Sequence, residues 1–106
     1  MLLRSAAASR GHVTGNAHIA AATPELPKVK KGDILVAPNA GPSWTPVFPL
    51  IAGLVLDEGA VFQHAVLVAR EYRVPVVIMT REATKEIRDG QTITVDGDEG
   101  IVELKS

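Results

Sequence analysis

The sequence predicts a mixed α/β domain. Short apolar runs bounded by glycine and proline recur along the chain, which is typical of buried strands. One longer segment near the middle has apolar residues at helical spacing, and turn-formers alternate with β-branched residues near the C-terminus. The length of 106 residues is enough for one compact core and hardly for a second.

The first third of the chain is predicted to form strands and an exposed connection. Turn-formers flank the apolar Val13 and Ile19, which predicts a short hairpin or a bulged strand over residues 11–21. Residues 23–32 hold prolines and lysines and are predicted to be an exposed connection, with lysine contact to a phosphate on a partner domain as the alternative. Residues 33–37 (DILVA) are predicted to be a buried strand.

A short helix and a strand are predicted next. Thr45 and Pro46 combine a hydroxyl cap with a proline in the first turn, which predicts a helix over residues 45–52. Trp44 is a candidate either for core packing or for docking on another domain. Residues 53–56 are predicted to be a strand that leads into a glycine-bearing loop.

The main predicted helix covers residues 63–72, where Ala65, Val66, Val68 and Ala69 recur at helical spacing. A proline soon afterwards ends it. The remaining predicted elements are a strand at 75–79, a helical turn or two at 81–88, and a hairpin of closing strands at 92–95 and 100–104.

His64 falls in the first turn of this main helix. The unpaired amides and partial positive charge of a helix start disfavour a protonated imidazole and favour a bound anion. A neutral histidine is a nucleophile, and the same amides would stabilise a phosphoryl group delivered to it, while Gly59 would let the backbone come close. The alternative is that His64 is a helix-start residue satisfied by its neighbours.

The composition excludes several classes of function. With 11 basic and 12 acidic residues, the chain shows no electrostatic footprint for nucleic acid or membrane. It has no cysteine, which excludes disulfides and thiolate metal sites, and a cytoplasmic location is expected. No apolar run reaches the roughly 20 residues of a membrane span. Residues 1–22 contain no Asp or Glu, which superficially suggests a transit peptide. We interpret this segment as the opening of the domain.

Several motifs resemble the swivelling phosphohistidine domain of PEP-utilising enzymes, the family of pyruvate phosphate dikinase, PEP synthase and rifampin phosphotransferase. The matching residues are Asp57, Gly59, His64, Ala65, Ala69-Arg70-Glu71-Tyr72, Pro75, Pro42-x-Trp44-Thr45-Pro46, Arg88-Asp89-Gly90-Gln91 and Val95-Asp96-Gly97-x-x-Gly100. They cover most of the chain from about residue 11 onward. The Trp-Thr-Pro variant is most like the rifampin phosphotransferase branch.

The resemblance implies a swivelling β/β/α fold for residues 11–106, preceded by a lead-in segment or linker at 1–10. It implies that His64 accepts a phosphoryl group at one active site and passes it on at another. The donor would be Mg-ATP or PEP, bound by an ATP-grasp-type domain or a PEP/pyruvate barrel on the same or another chain. The final acceptor would be a small molecule, and this domain itself would bind no cofactor.

The chain departs from the family pattern in the histidine loop. Ala60 replaces the family's second loop glycine, Gln63 replaces the hydroxyl residue before the histidine, and Ala40-Gly41 replaces the Thr-Asp pair that precedes the Pro-x-Trp run. Arg73 follows the tyrosine where the family has glycine, and another glycine is replaced around Met79. Loss of one neutral donor costs about 1 kcal/mol. The alternative function is therefore a non-catalytic interaction or regulatory module with a degenerate histidine loop.

Five residues are predicted to support the phosphoryl group or its loop: Asp57, Gly59, Ala60, Gln63 and Arg70. Asp57, with Glu58, is interpreted either as orienting His64 through a ring N–H or as capping the loop. Arg70 either reaches a phosphate or pairs with Glu71 at the surface.

Two further histidines are weaker candidates. His12 and His18 lie six residues apart with no third ligand in view, so they are interpreted as surface histidines. No metal site is predicted from this pair. An independent small-molecule enzyme is disfavoured because no complementary acid-base set accompanies the one nucleophile.

Overall fold

The structure is a computed structural model and describes residues 2–20, 28–40, 42–59 and 64–105. Its elements in chain order are β1 Leu2–Arg4, β2 Ala6–Ser9, β3 His12–Ile19, β4 Ile34–Ala37, a 3-10 helix Pro42–Val47, β5 Gly53–Leu56, α1 His64–Glu71, β6 Val76–Ile78, α2 Ala83–Glu86, β7 Thr92–Asp96 and β8 Ile101–Leu104. The predicted mixed α/β class is confirmed. Among the described helices, none has the length and apolar character to cross a membrane.

The eight strands form one sheet in the order β1-β8-β7-β3-β4-β5-β6-β2. The strands β3, β4, β5 and β6 are parallel neighbours, and the other pairs are antiparallel. Although β3 and β4 separate β7 from β5 in this order, β7 contacts both β5 and β6. The sheet therefore curls over itself into two layers, with α1 outside one of them, which is the β/β/α layering that the family resemblance implies.

Burial on both faces explains the sequences of the central strands. Every residue of β4, β5 and β6 is buried, as expected for parallel strands that are covered on both sides. One apolar cluster lies between these strands and α1 and includes Leu54, Leu56, Trp44, Phe48 and Val66. The other lies between the two sheet layers and includes Val36, Val55, Val77, Ile93 and Val95. Trp44 thus packs in the core.

The first strands differ from the prediction. Residues 11–21 were expected as a hairpin or a bulged strand, but β3 is one long strand that pairs with β7 along one part and with β4 along the other. Gly15 lies within β3. A residue with a side chain is disfavoured there, because its Cβ would lie 3.0 Å from the Gly32 carbonyl oxygen. Residues 1–10, expected as a lead-in segment or linker, include β1 and β2, which are the two outermost strands of the sheet.

The helices are shorter than predicted. The helix expected at 45–52 is a 3-10 helix that ends at Val47 and contains Pro46, whose ring is incompatible with an α-helix interior. The helix expected at 81–88 is the single turn α2. The main helix is confirmed as α1. The connection expected at 23–32 lies partly outside the described residues; within its described part, Lys30 is exposed and Val29 is buried.

Among the described residues, three other than glycine adopt a left-handed backbone conformation: Arg73 (φ 59°), Met79 (φ 61°) and Arg81 (φ 65°). For residues with a Cβ this conformation costs roughly 1–2 kcal/mol. Arg73 follows the end of α1, and the other two flank the turn after β6. These are positions where glycine would be favoured.

We expect Met79→Gly to stabilise the domain by about 1 kcal/mol, because glycine removes the left-handed penalty. The Met79 side chain is 46% exposed, so little apolar burial is lost. The measurement is the urea midpoint at an unchanged slope. As a matched control, Lys85→Gly at an exposed position of α2 should destabilise by about 1 kcal/mol. A lower midpoint for Met79→Gly would contradict the argument.

Candidate functional site

His64 lies at the edge of the sheet where the parallel strands end. The strands β5 and β6 are parallel neighbours, so α1, which connects them, runs back along the sheet and begins near their carboxyl ends. The inner face of α1 is fully buried and is formed by Ala65, Val66 and Ala69, whereas His64 is exposed. The helical period therefore turns the imidazole away from the core.

The surroundings of the imidazole suit an anion. His64 is the first residue of α1, so the amides of the first turn have no partner within the helix. They carry the positive end of the helix dipole. Within the described residues, no side chain makes a hydrogen bond or an ion pair with the imidazole. His64 thus combines an accessible ring with main-chain donors at its base.

The loop that leads to His64 is fixed at its start by the end of β4 and the residues that follow it. The amides of Asp57 and Glu58 donate to the carbonyls of Ala37 (3.0 Å), the last residue of β4, and Pro38 (2.9 Å), which follows it. The Glu58 carboxylate accepts from Asn39 Nδ2 at 3.2 Å. These contacts anchor the loop on the side of β4.

Beyond these anchors the chain turns at Gly59, whose φ of 121° is open only to glycine. The role predicted for Gly59 in supporting the phosphoryl group stays a prediction. The predicted roles of Ala60 and Gln63 lie outside the described residues.

Asp57 caps α2. Its Oδ1 accepts from the Thr84 amide at 3.1 Å, and its Oδ2 accepts from the Thr84 hydroxyl. Thr80 Oγ1 donates to the Leu56 carbonyl at 3.0 Å and lies 3.4 Å from Asp57 Oδ1. Glu82, at the N-cap position, makes no side-chain cap, so the carboxylate from the adjacent strand supplies the acceptor. The sequence left open whether Asp57 orients His64 or caps the loop. In the structure its carboxylate caps α2 instead and does not orient His64.

Arg70 does not belong to the His64 site. It lies six residues further along α1, which places it about 9 Å along the helix axis. Its Nε donates to the Ala8 carbonyl at 2.7 Å and ties α1 to β2. No ion pair with Glu71 is found within the described ranges. Sequence spacing put Arg70 at the helix C-terminus, but only the packing of β2 beside α1 explains its partner.

The structure brings Arg81 to the same edge of the sheet as Asp57. The Arg81 amide donates to the Asp57 carbonyl at 2.9 Å, and the Met79 amide lies 3.4 Å from the Glu58 carbonyl. The Arg81 side chain is exposed. Sequence analysis missed this cation. Its position after β6 was a usable signal, because residues that follow adjacent parallel strands meet at one edge of the sheet.

The other histidines lie elsewhere. His12 Nε2 is 3.0 Å from Asp96 Oδ1 and 3.1 Å from Asp98 Oδ2. Within the part of the chain that the structure describes, these three residues form a group of possible metal ligands, with atoms within 4.8 Å of one another. The β3–β7 register pairs His12 with Asp96 and explains this cluster, which sequence spacing did not reveal. His18 Nδ1 lies 4.0 Å from Asp33 Oδ2.

We expect Asp57→Asn to lower the free energy of unfolding by about 1–3 kcal/mol, the range for hydrogen bonds to a charged group. The Thr84 amide should also exchange its hydrogen faster, because α2 loses its cap. Urea unfolding and amide exchange by NMR measure the two effects. Glu99→Gln makes the same charge change at an exposed turn and should alter stability by less than about 0.5 kcal/mol. Equal stability of the two variants would show that Asp57 is not the cap.

Comparisons with known proteins agree with this arrangement. Residues 29–100 match the family described as "PEP-utilising enzyme, mobile domain". The chain is 40% identical to phosphoenolpyruvate synthase of Aeropyrum pernix over 96% of this chain and 13% of that protein. It is 42% identical to rifampicin phosphotransferase of Streptomyces sviceus, over 92% of this chain and 11% of that protein.

A solved structure is also similar. The solution structure of Enzyme I (nEIt) superposes with a TM-score of 0.65 at 26% identity, over 74% of this chain and 32% of that one. The chain thus spans only a small part of the relatives that it matches.

Proposed function

This chain belongs to the family of the PEP-utilising enzyme mobile domain, and we propose that it is the phosphocarrier part of a phosphotransferase, with His64 as the nucleophile. One observation carries the proposal. His64 is exposed at the first turn of α1 while the inner face of that helix is fully buried. A carrier residue needs this combination, since its ring must enter another active site while its own backbone stays fixed.

The chemistry requires little from the domain itself. The lone pair of the unprotonated ring nitrogen attacks phosphorus, and the bond from phosphorus to the bridging oxygen of the donor breaks with its electron pair. The first-turn amides of α1 then stabilise the phosphoryl oxygens. Gln63 would offer its side-chain amide as a further donor, and Gly59 and Ala60 would shape the approach of the loop. Arg81 adds a cation at the same edge.

Donor and acceptor are proposed to belong to partner domains. The name of one relative, phosphoenolpyruvate synthase, supports PEP as a source of the phosphoryl group, and the name rifampicin phosphotransferase supports a small-molecule acceptor. Mg-ATP is the other donor that we propose. The donor would bind to an ATP-grasp-type domain or to a PEP/pyruvate barrel, and a small molecule would be the final acceptor. Since this chain corresponds to 11–13% of those relatives, such domains have room elsewhere in them.

A second candidate function is a non-catalytic interaction or regulatory module. It is favoured by the altered histidine loop, with Ala60 and Gln63, and by Met79, which keeps a left-handed backbone at φ 61° where the family has glycine. In that case the fold would persist because its core is intact, and His64 would be a surface residue. The two functions differ in whether the imidazole takes up a phosphoryl group.

We expect His64 to be phosphorylated by phosphoramidate at least about tenfold faster than His12 or His18. Carboxylates lie beside both of these histidines and repel an anionic donor, whereas the first turn of α1 attracts it. Intact mass should rise by about 80 Da, in an acid-labile form, and peptide mapping locates the adduct.

Variants give this experiment its controls. His64→Gln should abolish the fast adduct, and His12→Gln should keep it. Equal labelling of all three histidines would remove the case for a dedicated carrier. With a nucleotide-binding partner and Mg-ATP, a stable complex that never gains the phosphoryl mass would favour the non-catalytic module.

A further inference from the structure

We propose that an open cavity at the C-terminal end of α1 is a binding site for a phosphate-bearing small molecule. The cavity measures about 1100 Å³ and is walled by β2 with the turn after it, by the end of α1, and by the turn between β7 and β8. Its polar side chains are Ser9, Arg10, Arg70, Arg73 and Asp98. This volume is ample for a small ligand, since ligand pockets span about 300–1000 Å³.

The cavity is distinct from the His64 site. His64 begins α1, whereas Arg70 is in its last turn and Arg73 follows it. Six residues of helix correspond to about 9 Å along the axis, so a ligand beside Arg70 leaves the imidazole free. The inference therefore goes beyond the proposed carrier function and does not depend on it.

The charges in the cavity favour an anion. Three arginines and one acidic residue are among its lining residues, although the chain as a whole carries a net charge of −1. That carboxylate, Asp98, already accepts from the Gly11 amide at 3.1 Å and lies beside His12 Nε2. Within the described residues, none of the three arginines forms an ion pair. The local excess of two positive charges matches a phosphate group, which carries close to two negative charges.

Ser9 gives a second, independent indication. This residue is only 7% exposed, and within the described part of the chain its hydroxyl has no hydrogen-bond partner. No fully enclosed side-chain polar atom lacks a partner there, so the hydroxyl is not fully enclosed, and Ser9 is one of the residues that line the cavity. The register of β2 against β6 shifts between Ala7 and Ser9, and such irregularities re-aim side chains. A buried hydroxyl that faces a cationic cavity is a donor for a ligand oxygen.

Arg73 occupies its position at a conformational cost. It follows α1 with φ 59°, and the next amide, that of Val74, bonds back to the Ala69 carbonyl at 2.9 Å. This left-handed position at a helix end favours glycine. Unfavourable backbone conformations cluster at functional sites, and Arg73 lines the cavity with Arg10 and Arg70.

Phosphate fits these donors better than a carboxylate does. Guanidinium groups donate in forks that match phosphate oxygens, and a phosphate offers three terminal oxygens to Ser9 and the arginines together. A single carboxylate would neutralise only half of the local excess charge. Free phosphate and a phosphate monoester share this chemistry, so the experiment includes both.

The test is a ¹H–¹⁵N NMR titration of the full chain with inorganic phosphate and with glycerol 3-phosphate, at constant ionic strength set by chloride. We expect saturable shifts at residues 7–11, 70–73 and 97–98, at lower ligand concentration than any shifts in the first turn of α1. Tighter binding of glycerol 3-phosphate would assign a monoester, and tighter binding of inorganic phosphate would assign the free ion. His64→Gln should leave the titration unchanged, which separates this site from the carrier function.

Variants assign the contacts. Arg73→Gly should weaken phosphate binding at least about tenfold while raising the urea midpoint, so lost binding cannot be ascribed to unfolding. Arg10→Gln should weaken binding to a similar degree. The matched control is Met79→Gly, which relieves the same backbone conformation outside the cavity. This variant should bind phosphate with the affinity of the wild type.

Three outcomes would overturn the proposal. Shifts spread over lysines and arginines of the whole surface would indicate general ionic screening. Unchanged affinity in Arg73→Gly would remove the assigned contact. A glutamate-rich peptide that binds at least about tenfold tighter than glycerol 3-phosphate would make the cavity a docking surface for an acidic protein segment instead.

Discussion

The burial of β4, β5 and β6 on both faces is the constraint on which the rest of the structure depends. Leu54 and Leu56 pack against the layer that contains α1, while Val55 packs against the second sheet layer. Strands held on both sides cannot shift in register without moving apolar side chains out of the core. The ends of these strands are therefore fixed points, and the loops that follow them start from defined positions.

The candidate site uses this rigidity. Asp57 and Glu58 are bonded to the segments after β4 and β6, so the loop toward His64 starts from a fixed base. Asp57 also caps α2 on the far side of the sheet, which links the two layers at the edge where the site lies. A carrier that moves as a whole body benefits from a stiff base, because positioning error in its own loop would add to that of the docking step.

The three left-handed residues show where the chain departs from the least costly backbone. Met79 and Arg81 border the site edge, and Arg73 lines the cavity at the other end of α1. Two of the three are arginines, so at these two positions the costly backbone conformation carries a positively charged side chain. The two ends of α1 thus present different chemistry, with main-chain donors at the start and guanidinium groups at the end.

The sequence by itself determined the mixed α/β class, the central buried strands, the main helix and the placement of His64 in its first turn. These follow from local signals, namely apolar runs, helical spacing and a proline stop, which act within a few residues. The same signals placed Gly59 in a turn. Helix lengths were overestimated: Pro46 lies inside a 3-10 helix instead of starting an α-helix, and the chain becomes extended at Ile87 after a single turn of α2.

Only the tertiary structure decided the partners of Asp57, Arg70 and His12. Each bonds to a residue far along the chain, Thr84, Ala8 and Asp98 respectively, and no local pattern encodes such pairs. No local pattern showed the curl that brings β7 over β5 and β6, or the position of β1 and β2 at the sheet edges. Strand order and layer packing depend on the free energy of the whole core, to which every apolar segment contributes at once.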